Sequence, residues 1–223
     1  MNLIQKTNKL KGVAVFDLDG TIINGQSQFL FLNFLVKNKK VSIFSITPLL
    51  IWFLLYKFNL VSSPNKAFGY ALKIFQKLTY EELSKLAIDF TNDEYFNSKK
   101  NKKILELIEK HKKEGNLIIL LSTAIDIITK KISEQLKIDY CISSVVEQEK
   151  NKIINIKVVN GLSKLDELKS FFKKNNLETE NTYAYGDDIS DLPVLMFAKH
   201  RVAVNPSRKL KKYAKNNNWI IIY

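Results

Sequence analysis

Two carboxylates stand one residue apart in Asp17-Leu18-Asp19-Gly20-Thr21, directly after the apolar run Val13-Ala14-Val15-Phe16. A packed core has no use for acids at that point, whereas a divalent cation and a phosphoryl group do. Near the other end, Tyr183-Ala184-Tyr185 runs into Gly186-Asp187-Asp188 and repeats the arrangement. Between them, Ser122 and Thr123 follow the run Leu117 to Leu121, and Lys164 enters a helical stretch. Asp17 has the chemistry of a nucleophile that forms an acyl-phosphate. Asp19 suits a general acid and base, provided its pKa rises from about 3.9. Asp17, the backbone carbonyl of Asp19, and Asp187 offer hard oxygens to Mg²⁺, with Asp188 and Asp191 completing or orienting the set. Ser122 and Lys164 suit the phosphoryl oxygens.

Each of these alone has a plainer reading: a turn, a helix cap, a solvated lysine. Their order and their positions at the ends of apolar runs argue jointly for Mg²⁺-dependent hydrolysis of a phosphomonoester through an aspartyl-phosphate. His111 and His200 sit in no such constellation and are read as surface residues.

The elements that must position this set alternate strand and helix. Strands are expected near 12–17, 117–121, 182–186, 202–204 and 219–221, with a hairpin of 140–147 and 152–159 across Lys150-Asn151. Helices are expected near 100–113, 125–136 and 163–174, and from Ser207. That alternation predicts an α/β fold with a doubly wound parallel sheet, Rossmann-like, in which ligands lie beyond the carboxyl ends of the strands. Residues 25–95 break the pattern and show no strand. Thr47-Pro48 reads as an N-cap with proline at the first helical position, Ser62-Ser63-Pro64 as a second cap, and Thr79-Tyr80-Glu81-Glu82 as a third helix start. The expected division is a core of 1–24 and 96–223 with a helical cap of 25–95.

Net charge is +13, nearly all of it lysine, and the only arginines are Arg201 and Arg208. Nucleic-acid readers favour arginine forks, so no nucleic-acid partner is expected. The single cysteine, Cys141, excludes an intrachain disulfide and suits a reducing compartment. Met1 to Lys11 is polar and lacks a signal-peptide core, which makes a cytoplasmic location the expectation.

The motifs resemble the haloacid dehalogenase-like superfamily, in its phosphoserine-phosphatase-like subclass with a helical cap. Asp17 to Thr21, Leu121-Ser122-Thr123-Ala124, Lys164, and Gly186-Asp187-Asp188-Ile189-Ser190-Asp191-Leu192-Pro193 carry the resemblance. Val202-Ala203-Val204-Asn205-Pro206 and the trailing helix and strand extend it over nearly the whole chain. The resemblance implies Mg²⁺ and the roles given above to Asp17, Asp19, Ser122, Lys164 and Asp187, with Asp191 orienting the site.

Phosphoserine phosphatases place a glutamate shortly after the first motif to hold the substrate amine; this chain has Gln26 there. A neutral amide pairs poorly with an ammonium. Phe29 to Leu60 resembles instead the cap of the phosphatidylglycerophosphatase C group, which implies a lipid-headgroup phosphate such as phosphatidylglycerophosphate. The alternatives are a small soluble phosphomonoester and a non-catalytic membrane-associated relative. The apolar run 43–56 is too short to span a bilayer comfortably. Either it lies in the interface, peripheral on the inner face of the membrane with residues 37–60 against anionic headgroups, or it is buried at the centre of the cap.

Overall fold

The computed structural model describes residues 10–57, 60, 65–178 and 180–223. The expected cap at Ser62-Ser63-Pro64 lies outside the described residues.

Seven strands form one sheet in the order β4-β3-β2-β1-β5-β6-β7. They are β1 (Val13–Phe16), β2 (Leu117–Ile125), β3 (Tyr140–Glu149), β4 (Lys152–Lys157), β5 (Thr182–Gly186), β6 (His200–Val204) and β7 (Ile220–Ile222). All neighbours run parallel except the hairpin β3–β4. β1 lies at the centre and is buried at every residue, which explains its unbroken apolar run: a central parallel strand is covered on both faces. Alternation then divides its side chains. Ala14 and Phe16 join one apolar cluster, and Val13 and Val15 join the other.

The helices of the core are α6 (Lys102–Lys113), α7 (Asp126–Gln135), α8 (Gly161–Lys174), α9 (Leu192–Phe197) and α10 (Arg208–Asn216). Between β1 and α6 the elements of the described residues are all helices: α1 (Ser27–Lys37), α2 (Ile43–Lys57), α3 (Asn65–Phe75), α4 (Tyr80–Asn92) and the short α5 (Glu94–Asn97). The two chain crossings into this block pair with each other. Asn24 N–H donates to the Lys99 carbonyl at 2.7 Å, and Asn101 N–H donates to the Ile22 carbonyl at 2.8 Å.

The hairpin turns through Lys150 and Asn151, both at positive φ (48° and 68°), as a two-residue turn matched to strand twist requires. Its tip holds the helical block. The Asn151 carbonyl accepts Tyr80 N–H at 3.0 Å and its side-chain oxygen accepts Glu81 N–H at 2.9 Å. Thr79 and Glu82 close the expected capping box on α4.

Two expectations fail here. Thr47-Pro48 does not start a helix: α2 begins at Ile43, and Pro48 lies inside it. The Ser42 hydroxyl accepts Phe44 N–H at 3.3 Å, and the Thr47 hydroxyl donates back to the Ile43 carbonyl at 3.1 Å. Burial of Ile46, Leu49 and Trp52 on one face outweighs the backbone bond that proline forfeits. His111 is not a surface residue either. It continues the buried stripe Ile104, Ile108 of α6. Its Nε2 lies 2.7 Å from the Tyr185 hydroxyl and its Nδ1 lies 2.8 Å from the Asn116 amide. Burial lowers its pKa below the usual histidine range. His200 is half-buried and stacks on Tyr183, with ring centroids 4.4 Å apart.

Candidate active site

β1 and β5 run side by side, with Phe16 opposite Tyr185, so the residues that leave them emerge together. Asp17 N–H donates to the Tyr185 carbonyl at 2.9 Å, which extends the ladder one residue and sets Asp17 just beyond the C-terminal end of β1. Lys164, in the first turn of α8, reaches in from the side. Its Nζ lies 2.7 Å from Asp17 Oδ1 and 2.8 Å from Asp191 Oδ1, and all three residues are buried. Asp187 completes the group. Carboxylate oxygens of Asp17, Asp187 and Asp191 lie within 4.8 Å of one another.

Gly20 makes this convergence possible. Its φ is +81°, and a Cβ built there would lie 2.0 Å from Asp187 Oδ2. Only glycine permits both the turn and the close approach. Gly186 is constrained in the same way, since a Cβ would sit 2.9 Å from Asp191 Cβ.

Asp19 is held from the helical block. Its Oδ1 accepts the N–H of Ser27, the first residue of α1, at 2.7 Å. Gln26 precedes that helix without a side-chain cap bond, so Asp19 satisfies one of the amides that a helix start leaves open. Ser122 is buried, and its hydroxyl accepts Ala124 N–H at 3.1 Å.

The electrostatics follow from crowding. Burial pushes Asp187 up to about 9, helped by repulsion from Asp17 and Asp191. Burial also raises Asp17, against the pull of Lys164. Asp19 is raised by burial and drawn partly back by its bond from Ser27. Burial disfavours the Lys164 cation, but Asp17 and Asp191 together outweigh it and hold the ammonium charged. Asp188 differs. Burial opposes its charge, yet the Ser190 N–H, 3.0 Å from its Oδ1, helps hold it below the usual carboxylate range. Three clustered carboxyl groups face one ammonium in a small, oxygen-lined space, and their crowding is what keeps protons on them when no cation is there. That donor set fits a hard divalent cation such as Mg²⁺.

These residues face one cavity of about 540 Å³. Asp17, Asp19, Ser122, Thr123, Lys164, Asp187, Asp188 and Asp191 line its floor, and Gln26 stands at its side. All the residues that the sequence singled out therefore meet. Sequence reasoning missed Gln28, Asn160 and Ser190, which also line it, and the apolar roof of Phe29, Leu32, Leu49, Trp52, Phe68 and Phe75. Asn160 carried a signal: with Ser163 it forms a capping box at the start of the helix that bears Lys164.

Comparison with known proteins finds relatives over nearly the whole chain. The chain is 23% identical over 220 residues to the histidinol-phosphatase of Neisseria meningitidis serogroup C, covering 96% of this chain and 99% of that one. Its fold matches a Bordetella pertussis Tohama I protein of unknown function, with TM-score 0.86, 19% identity and coverage of 96% and 99%. It also matches a phosphoserine phosphatase in the form of a phospho-aspartyl intermediate analogue, with TM-score 0.63, 19% identity and coverage of 96% and 94%. The two structural matches speak for the fold. A family model for haloacid dehalogenase-like hydrolases covers residues 14–196, and the chain belongs to that family.

Proposed function

We propose that this chain is a Mg²⁺-dependent phosphomonoesterase that works through an aspartyl-phosphate on Asp17, with residues 25–95 as its cap. The carrying observation is the Lys164 ammonium bonded to both Asp17 and Asp191 on the floor of the cavity.

Lys164 fixes one oxygen of Asp17 and leaves the other free to attack phosphorus. The P–O ester bond breaks as the acyl-phosphate bond forms. Asp19, whose pKa burial raises, stands as the acid that gives a proton to the leaving oxygen. The resulting Asp19 carboxylate takes a proton from water, the hydroxide attacks phosphorus, and Asp17 leaves as a carboxylate. Ser122, Thr123 and Lys164 bind phosphoryl oxygens during both steps. Asp17, the Asp19 carbonyl and Asp187 would hold the metal, with Asp188 and Asp191 supporting them. Bound Mg²⁺ would neutralise charge on the transferring oxygens.

The cavity argues about the substrate. Every acid lining it comes from the floor, and its described roof is apolar and aromatic with Gln26 and Gln28 at the side. A phosphoserine ammonium finds no carboxylate there. An ester with an apolar or aromatic leaving group does find a matching wall. A lipid-headgroup phosphate such as phosphatidylglycerophosphate is the first reading. A small soluble phosphomonoester is the second, favoured by one finding: the Neisseria relative, aligned over 96% of this chain, is named a histidinol-phosphatase. An imidazole-bearing alcohol phosphate also suits an aromatic roof. A non-catalytic membrane-associated protein would not need the intact acid cluster.

The test is Mg²⁺-dependent phosphate release from phosphatidylglycerophosphate in detergent, histidinol phosphate, phosphoserine and an aryl phosphate, with Asp17→Asn as the blank. Preference for the lipid supports the first reading, and preference for histidinol phosphate supports the second. Release from none of the four, with a folded protein and Mg²⁺ present, would contradict the enzymatic assignment.

A further inference from the structure

Helix α2 is apolar on both of its long faces, and only one of them is covered. Ile46, Leu49 and Trp52 face inward, and the last two line the cavity roof. On the opposite side Phe44 is 84% exposed, Ile51 54% and Leu54 55%. Positions 44, 51 and 54 follow the helical repeat and lie on one stripe, with Ile43 and Leu50 flanking it. Large apolar side chains gathered on one face mark an interaction surface, whereas single ones do not.

Charge says what covers it. From Gly20 to Tyr80 the sequence contains no Asp or Glu and seven lysines. Lys37, Lys39 and Lys40, just before α2, are exposed, as are Lys66 and Lys73 on α3. Lys77 is exposed too, and its Nζ donates to Ser45 at the start of α2, 2.7 Å away. An apolar stripe rimmed by cations, with no acid on the three helices around it, complements a surface that is apolar inside and anionic at its rim. No helix of the described residues is long and apolar enough to cross a membrane. At 15 residues α2 is about 22 Å long, shorter than a hydrocarbon core of about 30 Å. A helix of this kind lies along the interface. It differs from an ordinary interfacial helix in that protein, not a polar face, covers its other side.

We propose that α2 is a docking helix: its Phe44–Ile51–Leu54 face inserts shallowly into an anionic lipid bilayer, with the surrounding lysines on the headgroups. The helix that touches the bilayer then also roofs the cavity. This proposal stands apart from the assignment of the reaction and does not need it.

The experiment is flotation of the full chain with vesicles of neutral phosphatidylcholine alone or mixed with about 30% phosphatidylglycerol, at low salt and at about 0.5 M salt. The protein is expected to float with the anionic vesicles at low salt and to be released by salt. Phe44→Ser/Ile51→Ser/Leu54→Ser should lower that partition by at least about tenfold, since both apolar area and charge contribute. Lys39→Gln/Lys40→Gln should weaken it severalfold. Unchanged aryl phosphate hydrolysis and circular dichroism show that the variants are folded, because none of the five residues lines the cavity. Equal flotation of the triple variant and the wild type overturns the proposal. So does equal binding to neutral vesicles, or absence of binding in a protein whose sedimentation shows a dimer that the triple variant lacks. In that last case a second copy covers the face.

Discussion

Asp19 Oδ1 accepts the backbone N–H of Ser27 at 2.7 Å, so the first turn of the helical block fixes the candidate general acid. The bond has two consequences: it orients the carboxyl group, and it lowers a pKa that burial has raised. Ser27→Pro deletes this donor at the first helical position, where proline is otherwise well tolerated. We expect kcat to fall about 10- to 100-fold. The limb of the pH–rate profile that reports Asp19 should move to higher pH, because the lowering contribution is gone. Steady-state kinetics across pH measure both. An unchanged profile would separate Asp19 from the acid role.

Gly20 and Asp187 are linked by space. A Cβ at residue 20 would stand 2.0 Å from Asp187 Oδ2, at a φ that alanine adopts only with strain. Gly20→Ala should cost about 1–3 kcal/mol of stability. It should also lower activity at fixed Mg²⁺ by at least about 100-fold, because Asp187 must move. Thermal unfolding and Mg²⁺ titration of activity would read the two effects.

Lys164 is the counter-ion of a buried group. Lys164→Met leaves Asp17 and Asp191 without their partner, and removing one side of a buried ion pair costs about 3–5 kcal/mol. Lys164→Arg should not restore activity, because a planar fork does not replace a point charge between two carboxylates. Denaturant unfolding should show the loss smaller in Mg²⁺, because a bound cation would supply positive charge to the same oxygens.

The convergence of the acids, Ser122 and Lys164 was legible because each follows an apolar run or opens a helix, and parallel strands bring such ends together. Asp191 was read as completing or orienting the set, and its oxygen stands among those of Asp17 and Asp187. Spacing alone does not tell which acid of a loop turns inward. Asp188 turns to its own Ser190 instead. The roof was not legible. Phe29, Phe68 and Phe75 have the periodicity of ordinary core residues, and only tertiary packing leaves a cavity beneath them. Thr47-Pro48 misled because a cap signal is local, whereas burial of Ile46, Leu49 and Trp52 acts across the fold. His111 lay on the apolar stripe of α6 at helical spacing, but the partners that satisfy it, Tyr185 and Asn116, come from β5 and the turn before β2.

Stability should depend on pH in a direction opposite to that of a salt-bridged acid. Asp187 titrates near 3.8 when unfolded and is pushed up to about 9 in the metal-free fold. Between those values the folded protein binds more protons than the unfolded one, so stability falls as pH rises through that window. Mg²⁺ competes with those protons, and its stabilising effect should therefore grow from pH 5 to pH 9. In EDTA, Asp187→Asn should be more stable than the wild type at pH 8 and should respond little to Mg²⁺. Differential scanning fluorimetry with and without Mg²⁺ tests this. A wild-type protein whose metal-free stability rises across the same range would contradict it.

The most direct measurement is acid quench of the protein during turnover of a ³²P-labelled phosphomonoester with Mg²⁺, followed by mapping of the label. Wild type should carry hydroxylamine-labile phosphate on Asp17. Asp17→Asn should carry none and should lose at least about 1000-fold in phosphate release. Undiminished release by Asp17→Asn, or label on another residue, would contradict the account.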